Sequence, residues 1–528
     1  MSSFIRVFGL AMTAAGVVAA ASPSLAAKAD DSLMAAVRND NVAAAKLALK
    51  QHASPNALAP DGSAPLAWAV DRGDADMVGL LLKAGAKTNI GNGAVSLILA
   101  CENGNDAVIS LLLDAHADVN ARRADGVSAF HLCASRASTE NLSRMIDAGA
   151  SLDTPNAEGQ TALMFAAAAG NAQNVALLLG HHADVKAVTK GGFTPLFFAA
   201  KGSSTKAVQA LLDAGANNGY MAPDGTTALQ LALLVNDVPV ATILVEHGAT
   251  LVPWDINGKQ PLHVAVANGD GELAKLMIAK GADLNGLTRL AYRVDPGTDK
   301  RAPGSARVTR IADRAPDDAT QNAAAAQRVT DQRGGGGGGQ AARDPLYYDT
   351  SKLGYQPKIV LGQLDWAGSV ADPAPPTTPL LVAAAAGRAD MMKLLVEAGA
   401  NKDFRTDDGN SLTLAAVSSG SLDAVKYALT VSPDIKVAKK DGTTVMHIAV
   451  ANAKRGVSEA KSTISSAEAL LQYLADNGAD LNAKTDRGQT PLDVAARDEP
   501  EIQAFYTQLL KAHAAQAETD KPKANPPS

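Results

Sequence analysis

Apolar and polar positions recur along this chain with a period of about 33 residues. Within each period a short apolar run is followed by a turn and then by a second apolar run, in which Val175, Leu178 and Leu179 show the spacing of one helix face. The pattern predicts pairs of short helices joined by tight turns. The clearest markers of the period are glycines at one phase: Gly126, Gly159, Gly192, Gly225 and Gly258.

The residues at the ends of the runs favour the same reading. In Thr194-Pro195-Leu196, threonine can cap a helix start and proline is tolerated in the first turn, where its missing N–H would have no partner. Gly170-Asn171 is typical of a turn between the two helices. No single unit can bury its apolar face alone, so we expect the units to stack into an elongated array.

These units resemble the ankyrin repeat. The matching motifs are Thr194-Pro195-Leu196, Pro261-Leu262-His263, Thr378-Pro379-Leu380, Thr490-Pro491-Leu492 and Ala117-Asp118-Val119-Asn120. The resemblance implies an all-α solenoid of about twelve helix-turn-helix units with projecting hairpin loops, over residues 30–286 and 376–513. It also implies that loop tips and first helices line a concave groove, and that His131, His263 and His447 hold neighbouring repeats together through backbone bonds.

A long insert interrupts the array over residues 287–375. Its first part is rich in Arg, Asp, Ala and Gly, including the run Gly334 to Gly339, and this composition predicts a flexible segment. The second part carries Tyr347, Tyr348 and Trp366, so it is expected to pack back onto the array or to pair as a short strand. Residues 514–528 are predicted to be a disordered tail.

The N-terminal segment, residues 1–26, resembles a bacterial secretory signal peptide. Arg6 precedes an apolar run that is too short to span a membrane, and Ala26 ends a plausible cleavage site. We therefore expect a periplasmic or secreted protein, not inserted in the membrane after cleavage. Export raises the question whether Cys101 and Cys133 are bonded; because stacked helices lie ~8–10 Å apart, two buried thiols are favoured over a disulfide.

The sequence offers no catalytic, cofactor-binding or metal site. His181-His182 could bind a metal, but adjacent helical side chains point ~100° apart. We therefore predict a non-catalytic scaffold that binds another protein through its concave groove, in the periplasm or outside the cell. Two alternatives stay open: an inhibitor or protector of an exported enzyme that uses the insert as a lid, and an enzyme with a composite site between insert and groove.

Two consecutive loop tips carry the candidate partner-binding residues. They are Tyr220, Met221, Trp254 and Ile256, with Met221 and Trp254 at the same repeat phase. Exposed aromatic and Met side chains are typical interface anchors, although these residues could instead cover one another or contact the insert. The net charge of −6 argues against nucleic acid as a partner.

Overall fold

The structure, a computed structural model, confirms the predicted all-α repeat architecture. It describes residues 25–288 and 375–519, apart from 61, 90–95, 224, 254, 256–257, 458–461 and 496–499. The predicted signal peptide lies almost entirely outside the described residues, and so do nearly all of the insert and the last nine residues of the tail. In the described ranges, twelve helix pairs follow one another, and we number them as repeats 1 to 12.

Residues 25–217 hold repeats 1 to 6 and form one compact unit. Inside it, each first helix packs on the first helix of the next repeat, and second helices stack likewise. Its helices are α1 (Leu25–Arg38), α2 (Val42–Lys50), α3 (Pro65–Arg72), α4 (Ala75–Lys83), α5 (Ser96–Asn103), α6 (Asp106–Asp114), α7 (Ala129–Arg136), α8 (Thr139–Asp147), α9 (Ala162–Ala168), α10 (Ala172–Gly180), α11 (Pro195–Lys201) and α12 (Thr205–Asp213).

Residues 218–288 and 375–519 hold repeats 7 to 12 and form the second unit. Repeats 8 and 9 stack directly, although residues 289–374 lie between them in the sequence. Its helices are α13 (Ala228–Leu234), α14 (Val238–Glu246), α15 (Pro261–Asn268), α16 (Gly271–Ala279), α17 (Pro379–Ala385), α18 (Ala389–Glu397), α19 (Leu412–Ser418), α20 (Leu422–Val431), α21 (Val445–Val457), α22 (Ser462–Asp476), α23 (Pro491–Ala495) and α24 (Pro500–Thr519).

Both ends of the array differ from the sequence-based boundaries. Helix α1 begins at Leu25, so a cleavage after Ala26 would fall in its first turn, and repeat 1 is a complete helix pair. At the other end, α24 continues to Thr519, six residues beyond the boundary predicted at 513. In repeat 11, where the sequence contains extra residues, both helices are longer than usual.

Short hairpin loops connect consecutive repeats. Within the described residues their only β pairing is three isolated bridges, Arg122 with Ser128, Met221 with Thr227 and Ala438 with Thr444. At the base of the loop before repeat 4, the Arg123 N–H donates to the Val127 carbonyl at 2.9 Å. The loop tip therefore consists of the three residues 124–126.

The insert occupies one of these loop tips. The Thr288 N–H donates to the Thr377 carbonyl at 2.9 Å, the same pairing that Arg123 and Val127 make. The Thr377 N–H in turn donates to Thr288 Oγ1 at 2.9 Å. Residues 289–376 thus replace a three-residue tip, and the hairpin base closes as in an uninterrupted repeat.

Cys101 and Cys133 are disulfide-bonded, so the expectation of two free thiols was wrong. The error came from using the distance between helix axes, ~8–10 Å, for atoms that lie between the axes. Residues that face each other are nearer by one helix radius on each side, ~2.3 Å. The Cα atoms are 4.7 Å apart, and both side chains are fully buried.

Three histidines occupy a left-handed backbone position at the end of a second helix. His52, His116 and His182 have φ of 65°, 56° and 66°, whereas most repeats place glycine there, for example Gly149 at 87°. A Cβ built on Gly149 meets nothing within 4 Å. The cost of histidine at this position is therefore one of backbone conformation, not of space.

Replacing His182 by glycine should raise the free energy of unfolding by about 0.5–1 kcal/mol, because glycine adopts positive φ without strain but loses more entropy on folding. Urea unfolding measures the change. The matched variant is Gly149→Ala, which should lower stability by a similar amount. Equal stability of the two variants would contradict the assignment of strain to this position.

Candidate functional site

The hairpin loops between repeats share a register position that recurs along the array. This position lies eight residues after the last residue of the preceding second helix, and before repeats 4, 10 and 12 it holds the charged residues Arg122, Arg405 and Lys484. It holds Met221 before repeat 7 and Leu287 after repeat 8, and in the first unit it holds the exposed Leu58 and Val188 before repeats 2 and 6. The side chain of Met221 is exposed to 38% and that of Leu287 to 42%.

The exposed apolar side chains of the second unit are confined to this region. Among its described residues, every exposed large hydrophobic side chain lies between positions 221 and 287. We call this set the apolar face: Met221, Leu234, Val235, Val252 and Leu287. Leu234 and Val235 stand at the end of α13, and the other three stand in the hairpin loops. Exposed large apolar side chains grouped in one part of a chain are candidates for an interaction site.

Val252 is the most informative member of the apolar face. In repeat 4 the residue at its register position is Asn120, which donates to the Gly149 carbonyl at 2.9 Å and accepts from the Ser151 N–H at 2.9 Å. Asn285 makes the second of these bonds, to the Asn401 N–H, at 2.8 Å. Val252 cannot form either bond and is 59% exposed. At this position the chain carries exposed apolar surface in place of a bond between loops.

Only part of the partner-binding site proposed from sequence lies in the described structure. Met221 is exposed as expected, whereas Tyr220 beside it is half-buried, and burial raises the pKa of its hydroxyl. Trp254 and Ile256 lie outside the described residues, so their role stays a prediction. Sequence reasoning missed Leu234, Val235, Val252 and Leu287. For Val252 a signal existed, since it stands at the repeat phase where Asn56, Asn120 and Asn285 stand.

His131, His263 and His447 lie at the repeat junctions, as the resemblance to the ankyrin repeat implied. Nε2 of His131 lies 3.1 Å from the Gln160 carbonyl, and Nε2 of His447 lies 2.9 Å from the Gln489 carbonyl. His263 makes the same contact with Thr377, at 3.1 Å, across the insertion. All three side chains are buried, so they serve the stack and do not face a ligand.

Repeat 7 performs this task with glutamine. Gln230 Oε1 accepts from the Thr227 N–H at 2.8 Å, and its Nε2 donates to the Pro253 carbonyl at 3.0 Å. The sequence motif alone did not reveal that Gln230 takes the place of the junction histidine. Gln230 thus supplies the same acceptor and donor without a titrating group. In repeats 5, 6, 9 and 10 this position is apolar, and it holds Met164, Phe197, Leu381 and Leu414.

The described residues bring together no three His, Cys, Asp or Glu side chains that could hold a metal ion. His181 and His182 are both exposed and directly follow α10. Among the helices that the structure describes, none is long and apolar enough to cross a membrane.

Comparison with protein-family models gives one match, to ankyrin repeats. It covers residues 33–123, 97–189, 130–221, 196–287 and 380–460, together more than half of the chain. The chain belongs to the ankyrin-repeat family. Ankyrin repeats are generally protein–protein interaction scaffolds and are typically non-catalytic. No curated protein matches this ankyrin-repeat chain.

Proposed function

We propose that this ankyrin-repeat protein is a non-catalytic scaffold that binds a partner protein through the apolar face of repeats 7 and 8. The observation that carries the proposal is the replacement of a loop-bridging asparagine by the exposed Val252, between the exposed Met221 and Leu287. Exposed valine adds nothing to the stack, since its side chain forms no bond between loops. Apolar groups at loop tips contribute to affinity when a partner covers them.

We further propose that the protein works outside the cytoplasm, in the periplasm or as a secreted protein. The disulfide between Cys101 and Cys133 supports this location, because disulfides persist in oxidising compartments and are rare in the cytosol. The signal-like segment 1–26 supports it independently. Secreted protein with an intact Met1 residue, or retention of all protein in the cytoplasm, would contradict the location.

The variant Val252→Asn separates binding from stability. It removes apolar surface from the proposed face and supplies the side chain that bridges loops at Asn120 and Asn285. We expect the dissociation constant for the partner to rise at least tenfold, since one buried aliphatic side chain contributes about 1.5–3 kcal/mol. The free energy of unfolding should rise by about 1 kcal/mol from the added hydrogen bonds.

The partner is identified first, by photo-crosslinking from position 221 in cells, with a crosslinker at Lys484 as the matched control. Lys484 is exposed at the same register position in a charged loop. Titration of the purified partner with wild type, Val252→Asn and Lys484→Ala then measures affinity. Unchanged affinity in Val252→Asn, with wild-type folding, would place the site elsewhere.

A further inference from the structure

The junction between repeats 8 and 9 is built from the same bonds as other junctions. His263 Nε2 contacts the Thr377 carbonyl at 3.1 Å, Asn285 Oδ1 accepts from the Asn401 N–H at 2.8 Å, and Arg388 donates to the Asn268 carbonyl at 2.8 Å. All these residues belong to the second unit. Two features nevertheless set this junction apart from its neighbours in that unit.

The first feature is an unpaired nitrogen. Nδ1 of His131 lies 2.6 Å from the Ser128 hydroxyl, and Nδ1 of His447 lies 2.9 Å from the Thr444 hydroxyl. The corresponding N-cap before His263 is Gln260, whose side chain makes no capping bond. His263 is fully buried, and its Nδ1 has no hydrogen-bond partner. A buried polar atom without a hydrogen-bond partner lowers the stability of the junction that buries it.

The second feature is the length of chain between the two repeats. The other hairpins of the second unit have short tips, whereas residues 289–376 separate the two strands of this hairpin base. The probability of closing a loop falls with about the 3/2 power of its length. Replacing a tip of three residues by 88 therefore reduces it about 100-fold. Once separated, repeats 8 and 9 return to each other less readily than any directly linked pair.

We propose that, within the second unit, repeats 8 and 9 form the joint that opens first, and that acid promotes its opening through His263. Stacked repeats depend on their neighbouring interfaces, so the weakest interface determines where an array separates. Opening at this joint divides repeats 7 and 8, which carry the apolar face, from repeats 9 to 12. The inference concerns the fold and holds whether or not the apolar face binds a partner.

The surroundings of His263 determine the direction of the pH effect. Neither α13 nor α17 carries an ionisable side chain, and Glu272 and Lys275 of α16 pair with each other at 2.7 Å. The remaining charges near the ring, Lys259 and Asp283, act in opposite directions. Burial lowers the pKa of His263 from 6.5 to about 4. In the closed joint the His263 ring therefore stays unprotonated, whereas in the open joint it binds a proton with its ordinary pKa. Because the open state binds the proton more tightly, acid favours opening.

Hydrogen–deuterium exchange of the full chain tests the proposal. Exchange rates are first corrected for intrinsic exchange. The rates of α15 and α17, the first helices on either side of the joint, are then compared with those of α19 and α21, which lie on either side of a directly linked junction. We expect faster exchange at the joint at pH 7.5. Lowering the pH to 5.0 should increase opening there by about 30-fold, as follows from the lowered pKa of one group.

Three variants separate the contributions of His263 protonation, of its unpaired Nδ1 and of the long insertion. His263→Gln, which copies the arrangement of Gln230, should remove the pH-dependent part. Gln260→Ser supplies the hydroxyl found at Ser128 and should slow exchange at the joint. Replacing residues 289–376 by Ala-Asp-Gly, the tip formed by 124–126, should slow it up to about 100-fold at both pH values. Equal protection at the two junctions in wild type, or exchange at the joint unaffected by that replacement, would overturn the proposal.

Discussion

Replacing Cys101 and Cys133 together by alanine should lower the free energy of unfolding by about 3–4 kcal/mol, the largest effect that we expect from any change in repeats 3 and 4. The two cysteines close a loop with a sequence separation of 32. A bond that closes a loop of this size removes that much conformational entropy from the unfolded chain. The bond also joins α5 to α7, so it adds a covalent link between two repeats that hydrogen bonds already connect, for example from Arg136 to the Glu102 carbonyl at 2.7 Å.

Urea unfolding of oxidised and reduced protein measures this effect. Reduction should lower the unfolding midpoint of wild type and leave the double-alanine variant unchanged, which separates the disulfide from other effects of the reductant. Alanine is the suitable replacement, because Ala100 and Ala134 are already fully buried beside the two cysteines. Wild type with the same midpoint before and after complete reduction would contradict a stabilising role.

Acid should destabilise repeats 4 and 5 through His131, and the variant His131→Gln should remove this sensitivity. Burial lowers the pKa of His131 from 6.5 to about 4, and its Nδ1 accepts hydrogen bonds that a protonated ring would lose. A folded-state pKa below the unfolded value means that the unfolded chain binds the proton first. The stabilising contribution is therefore complete above pH 6.5 and is lost as the pH falls towards 4.

The expected loss between pH 7 and pH 4.5 is about 2 kcal/mol for this one histidine. Glutamine at position 131 can repeat the bonds that Gln230 makes in repeat 7. There Gln230 accepts a hydrogen bond from the Thr227 N–H and donates one to the Pro253 carbonyl. His131→Gln should thus match wild type at pH 7 and exceed it at pH 4.5 in urea unfolding. A variant with unchanged stability at pH 7 and an undiminished acid loss would show that other groups control the acid response.

The sequence by itself determined the repeat architecture of this protein. A period of 33 residues, helix-start motifs and turn glycines recur in nearly every unit, so local preferences and pattern agree many times over. The resemblance to the ankyrin repeat implied that His131, His263 and His447 lie at repeat junctions, and their contacts confirm that placement. The break in the period also located the insertion, because a lost phase is visible without coordinates.

The tertiary structure decided what depends on distances between repeats. The disulfide depends on two Cα atoms that lie 4.7 Å apart, a distance that the spacing between helix axes did not predict. The insertion's place in one loop tip followed from the bond between Thr288 and Thr377. The exposure of Val252 and Leu287, and the unpaired Nδ1 of His263, depend on what neighbouring repeats supply. A periodic sequence fixes the fold of each unit, whereas burial and pairing at one position are set by the residues of the next unit in the stack.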